Sequence, residues 1–243
     1  MDFIISQKEL FPGMSISDPP HDKNLLARAI GVLTDSASTF EDIIKKPDFV
    51  LPVIFIVLSG ILGLVPLSHS FGTMPELMPP STSELSKSAA MGTASTAFIV
   101  SQFIWWPLRA LIFVGAGALI GSRIDFKKSL AVSGYLNITL VLSGIITAIT
   151  VAVTGQAVVL GFGITLTPDQ LTTPWGIILS SINIFSIIYI ILSSIALSRL
   201  WNVKISKSAA ITIIMWALVI ALSAWSAHLT SKLTQLQMGI GPG

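Results

Sequence analysis

One guanidinium set among apolar residues is the chain's clearest candidate for chemistry. Arg109 lies within the apolar run at residues 96–120, just after Trp105, Trp106 and Pro107, and a charge at bilayer depth costs about 2.5–3.5 kcal/mol on insertion scales. Facing a wet cavity, such a cation coordinates an anion or gates a path, and the two tryptophans one turn away add cation–π contact. A plainer arrangement competes with this. If Trp105, Trp106 and Pro107 mark the outer interface and Pro107 tilts or breaks the helix, Arg109 reaches the headgroups along its own stem. That plainer arrangement is the expectation from sequence, with Arg109 kept as the candidate intramembrane functional charge.

The other polar groups inside apolar segments are uncharged. Thr139, Ser143, Thr147 and Thr154, joined by Thr150, share one face of a helix. Small hydroxyl residues favour close helix packing over a pore lining, and Asn137, Asn183 and Tyr189 read the same way. No Asp or Glu falls in an apolar run, which argues against a proton or cation relay. His21, His69 and His228 are far apart and the chain has no cysteine, so no metal centre or thiolate chemistry is expected. Gly-rich phosphate loops, GxSxG and HExxH are absent. The expectation is a non-enzyme without a cofactor. Gly117 and Gly121 form a GxxxG spacing, read as intramolecular packing at least as readily as a dimer interface. The glycosylation-like Asn137-Ile138-Thr139 starts inside an apolar run and is discarded.

These residues must be positioned by helices in lipid. Hydrophobic residues make up 52% of the chain and charged ones 11%, against roughly 25% charged in soluble domains, and mean hydropathy is +0.82. Five runs, at 49–67, 96–120, 130–154, 175–197 and 209–229, are each long enough to span a bilayer as a helix. They lack the short alternating pattern of a membrane barrel. Of 14 Lys and Arg, eleven lie in the N-terminal region and the second and fourth loops, while Lys87 and Lys232 lie on the other side. That asymmetry predicts a multi-pass protein with a cytoplasmic N-terminus. It also explains the net charge of +2 without nucleic acid.

The predicted organisation is a mobile tail at 1–24, an amphipathic interfacial segment at 25–48, a five-helix membrane domain at 49–229 and a short outer tail at 230–243. The tail lacks the pattern of a signal peptide. In the interfacial segment Leu26, Ile30, Leu33, Ala37, Phe40 and Ile44 recur at helical spacing. A capping box at Ser38–Glu41 predicts a helical start at Thr39, with Lys45, Lys46 and Pro47 closing it. Such a helix would lie on the membrane surface. A second box at Ser81–Glu84 predicts a short helix ending before Gly92. The glycine-rich loop at 155–174 either dips against the membrane or covers the bundle.

Residues 33–47, 121–135 and 197–209, the last two rich in Lys and Arg and the second ending in Gly134-Tyr135, together resemble the Yip1 domain family of five-span membrane proteins. Residues 33–47, LTDSASTFEDIIKKP, are similar to its pre-membrane segment. Residues 121–135, GSRIDFKKSLAVSGY, are similar to its second-to-third-span turn, with Gly134-Tyr135 as the best marker. Residues 197–209, LSRLWNVKISKSA, are similar to the loop before its last span. The Asp-Leu-Tyr-Gly-Pro motif of eukaryotic members is absent, which argues against small-GTPase binding and for a prokaryotic member. The resemblance implies a non-enzymatic membrane protein, linked in eukaryotes to vesicle trafficking and membrane shaping, with no catalytic residues to carry over.

The fold expected is thus all-α and polytopic, with five transmembrane helices and an amphipathic pre-membrane helix, in a prokaryotic cell membrane or alternatively the ER or Golgi. The function expected is a membrane-organising or partner-binding scaffold. Arg123, Lys127, Lys128, Arg199, Lys204 and Lys207 are its candidate partner or lipid contacts, at about 1 kcal/mol per basic residue for anionic headgroups. The partners expected are the bilayer, anionic headgroups and a membrane protein or second copy, not nucleic acid. The alternative is a small transporter or channel using Arg109 and the polar stripe of the third span.

Overall fold

The computed structural model describes residues 24–73, 84–155, 161–171 and 173–237. Among these the chain is helical with no strand, and five segments are long and apolar enough to cross a membrane: Val50–His69, Ser88–Leu119, Phe126–Thr154, Ile184–Trp201 and Ile205–Thr230. The architecture is all-α and polytopic. Apart from Asn24, the expected mobile tail lies outside the described residues.

Two short helices precede the first span. α1 (Leu25–Thr34) opens on Asn24, whose side chain accepts from the Ala27 amide at 2.8 Å, and α2 (Ser36–Lys45) follows a break at Asp35. The predicted start at Thr39 therefore falls inside α2, three residues late. The break divides the predicted apolar face. Leu26, Ile30 and Leu33 of α1 point outward, whereas Val32, Phe40 and Ile43 are fully buried. Gly31 lets α1 and α2 touch, because a Cβ there would collide with Thr39 Oγ1. α2 packs on the helices of the bundle described next, so its buried face belongs to the core, while α1 keeps an exposed apolar stripe.

The first two spans are α3 (Val50–Thr73) and α4 (Glu84–Leu119). Helix α4 runs through Gly92 and Pro107 alike, so the short helix predicted to end before Gly92 is the beginning of a 36-residue helix. Ser81 to Ser83 of the second predicted box lie outside the described residues. At its far end, the Ser122 amide returns to Gly117 O at 2.9 Å and Gly121 takes φ +82°, closing the helix in the left-handed conformation that glycine tolerates.

The third span is broken, and so is the run at 175–197 from which the fourth was expected. α5 (Phe126–Tyr135) and α6 (Ile138–Thr154) meet at Leu136 and Asn137, where the Asn137 amide bonds Gly134 O at 3.1 Å, a tightened turn inside the span. α7 (Pro168–Leu171) and α8 (Pro174–Ser181) lead to α9 (Ile184–Trp201) across a break at Ile182 and Asn183. Asn183 caps α9 by accepting from the Phe185 and Ser186 amides, while Ser186 Oγ accepts from the Asn183 amide, all at 3.0 Å. A short 3-10 turn at Gly161–Thr165 covers this break, with the Phe162 amide on Ile182 O at 3.4 Å. Among the described residues of that loop the turn packs on α8, while Phe162 and Ile164 stay exposed. α10 (Ile205–Gln237) completes the chain.

The main core lies at one end of the bundle, the end that carries α1, α2 and both basic loops, here termed the basic end. There Phe40 and Ile43 of α2 pack with Tyr135, Leu136, Leu197 and Trp201 of α5 and α9. Each fully buried side chain of this size removes enough apolar surface from water to contribute about 1.5–3 kcal/mol.

Candidate functional site

Two constellations of polar side chains stand out. The first ties the pre-span helices to the bundle. Tyr135 Oη donates to Asp48 Oδ2 at 2.7 Å, and Arg28 Nη1 donates to the same carboxylate oxygen and to Lys46 O at 3.3 Å. Arg28 is only 8% exposed. Burial lowers the Arg28 pKa, but its hydrogen bonds and charge interactions with Tyr135 and Asp48 outweigh that and hold it above its ordinary value. Gly134 brings α5 onto its neighbours, since a Cβ there would lie 2.8 Å from both Pro52 Cγ and Trp106 Nε1. The Gly-Tyr marker is therefore a packing joint.

The basic loops meet at the same end. Ser122 Oγ donates to Trp201 O at 2.7 Å, and Trp201 Nε1 donates to Phe113 O at 3.1 Å beside Gly117. Gly117 is thus filled by contacts within the chain, the intramolecular alternative for the GxxxG spacing. Arg123, Lys127, Lys204 and Lys207 are exposed and Lys128 is half-buried. Arg199 is engaged differently, paired with Glu41 of α2 at 2.9 Å.

The second constellation is a cavity of about 470 Å³ between α4 and α10, backed by α6 and α9. Arg109 lines it, with its guanidinium on Asn137 Oδ1 and its Nε buried without a partner. Thr139 and Ser143 of the predicted stripe line it too, as do Asn183 and Tyr189. Thr147 instead lines a smaller neighbouring cavity, and Thr150 and Thr154 turn their hydroxyls back onto their own helix. The stripe is divided between packing and lining.

α4 is continuous through Pro107, so the helix break weighed in the sequence is not found. α4 is tied to α5 by Trp106 Nε1 on Leu130 O and Ser129 Oγ on Ala110 O, both at 2.8 Å. Nor do the tryptophans mark the opposite end. Trp106 packs on Phe49, just before α3, with ring centroids 6.3 Å apart, and Arg109 lies about 4.5 Å further along α4 toward the basic end. Its guanidinium turns back to Asn137, three residues past Gly134, which itself faces Pro52 of α3 and Trp106.

Sequence reasoning missed Ser193 and Thr212, whose hydroxyls are 1% and 2% exposed, line the cavity and have no hydrogen-bond partner. Single hydroxyl residues in apolar runs carry no distinguishing pattern, and only the α9–α10 packing brings them together. Arg28 and Asp48 were equally illegible, because their pairing depends on how α1 folds back.

No curated protein and no solved structure matches the chain. A family model does: the Yip1 domain matches residues 30–226, a range that takes in the second half of α1, all of α2, the Gly134-Tyr135 joint, both basic loops, four spans and most of the fifth. The chain belongs to the Yip1 domain family.

Proposed function

We propose that this Yip1-type membrane protein is a non-enzymatic scaffold whose basic end faces the cytoplasm, in a prokaryotic cell membrane, and recruits a membrane-protein partner or organises anionic lipid. The observation that carries this reading is the Ser122–Trp201 hydrogen bond, which joins two loops 79 residues apart into one surface. Arg123, Lys127, Lys204 and Lys207 stand out from it, and the Arg199–Glu41 pair attaches α2 to its edge. The exposed Leu26, Ile30 and Leu33 stripe of α1 supplies an apolar contact beside the charges.

Reversing Arg123, Lys127, Lys204 and Lys207 to Glu, with topology checked by protease accessibility, tests the reading. Loss of partner recovery from native membranes, or of binding to anionic vesicles, is expected; unaltered recovery and vesicle binding overturn it. The Arg109 cavity favours a second reading, a small transporter or channel. Solute flux in liposomes that disappears in Arg109→Leu would support that reading over the scaffold.

A further inference from the structure

We infer that the Arg109 cavity holds one anionic amphiphile, with its phosphate or carboxylate on Arg109 and its apolar chain directed along α9 and α10. Three observations converge on this occupant. First, the Arg109 charge is met by a neutral acceptor, Asn137 Oδ1, and its Nε is buried without a partner. No carboxylate lines the cavity among the described residues. A half-buried cation in a mostly apolar cavity without a counter-charge is costly, and an anion supplies both the charge and the missing acceptor.

Second, the hydroxyls of Ser193 and Thr212 line the same cavity, almost fully buried and unpartnered. Each is an O–H donor that would otherwise forfeit about 1–3 kcal/mol of hydrogen bonding. With Arg109 they form a set of donors suited to the oxygens of one headgroup.

Third, the lining continues away from the basic end and is mostly apolar in surface, with Gln102, Asn183, Ser186 and Tyr189 set among its apolar residues. From Thr212, the lining residues Trp216 and Val219 extend about 10 Å along α10, and Phe185 lies two turns beyond Ser193 on α9. Trp105 and Val219, on the two flanking helices, are 58% and 57% exposed, so the cavity is open to the bilayer from the side. Because Arg109 follows Trp106, which packs on Phe49 just before the first span, a lipid of the adjoining leaflet presents its head at Arg109 and its chain along Trp216. A volume of about 470 Å³ falls within the usual range for small-ligand sites, about 300–1,000 Å³.

The test is native mass spectrometry of the full chain in neutral detergent micelles containing dioleoylphosphatidylglycerol, dioleoylphosphatidylcholine or oleic acid. A one-to-one adduct with an anionic amphiphile at least tenfold above phosphatidylcholine is expected, falling to parity in Arg109→Gln. An adduct with phosphatidylglycerol alone identifies a membrane lipid as the source, and one with oleate alone identifies a free fatty acid. The double variant Ser193→Ala, Thr212→Val should lower the anionic adduct severalfold, and it serves as the test if Arg109→Gln does not fold. Retention of the adduct in the loop charge-reversal variant separates this site from the basic surface. An absent anionic preference, one unchanged by these cavity variants, or displacement by inorganic phosphate as effectively as by oleate, would overturn the proposal.

Discussion

Tyr135 Oη donates to Asp48 Oδ2 at 2.7 Å across 87 residues of chain, so the marker pair of the third span closes directly onto the residue that introduces the first. Asp48 in turn takes Arg28 from α1. Tyr135→Phe keeps the ring, which packs edge-on against Phe55 at 6.2 Å, and removes only the donor. It should cost about 1–3 kcal/mol, since the variant leaves a buried carboxylate short of a partner. Thermal unfolding in detergent would register the loss, and faster proteolysis between α1 and α3 would locate it.

Gly134 and Gly115 offer a matched comparison. A Cβ at Gly134 meets Pro52 and Trp106, whereas one at Gly115 meets nothing within 4 Å. Gly134→Ala should destabilise by about 1–3 kcal/mol, because two packed neighbours must move. Gly115→Ala should instead be neutral or stabilising by up to about 1 kcal/mol through helix propensity. Equal effects on melting temperature at the two positions would contradict the close approach of α5 to α3 and α4.

The spans and the family motifs were legible because lipid imposes a length and composition that twenty apolar residues in sequence announce directly. The breaks at Leu136–Asn137 and at Ile182–Asn183 were not. Asn183 reads as one more polar residue in an apolar run, and its role as a cap depends on Ser186 three residues later and on the 3-10 turn at Gly161 covering the gap. Arg109 was legible as an anomaly but not in its surroundings, since its contact with Asn137 depends on how α4 packs at the break between α5 and α6. Arg199 was legible as a loop cation, yet its partner Glu41 lies on a helix that the sequence placed on the membrane surface.

Two ion pairs join α1 and α2 to the rest of the chain and should respond to truncation with very different magnitudes. Arg199 and Glu41 remain 47% and 42% exposed at the side chain, so Arg199→Ala should change stability by less than about 1 kcal/mol and less still in high salt. Arg28 and Asp48 are 9% and 21% exposed, so Arg28→Ala, which leaves a largely buried carboxylate without its cation, should cost about 3–5 kcal/mol. The raised Arg28 pKa means that its stabilisation is complete below its ordinary value and is lost only as pH rises through the folded one. Melting curves across the neutral range should accordingly show no titration from this residue. A comparable loss at Arg199 and Arg28 would contradict the difference in burial.

Asn137→Asp separates the structural from the binding role of Arg109. The substitution puts a carboxylate where Asn137 Oδ1 now accepts from the guanidinium, which supplies the counter-charge that the cavity otherwise lacks. A charge-assisted bond replaces a neutral one and should stabilise the fold, with a higher melting temperature at neutral pH. The same carboxylate repels an incoming phosphate or fatty acid, so the one-to-one anionic adduct should fall to the level of phosphatidylcholine. A purely structural Arg109 would yield the first effect without the second, because no bound anion would then be present to displace. Stabilisation together with loss of the adduct identifies a cation whose native counter-charge comes from outside the chain.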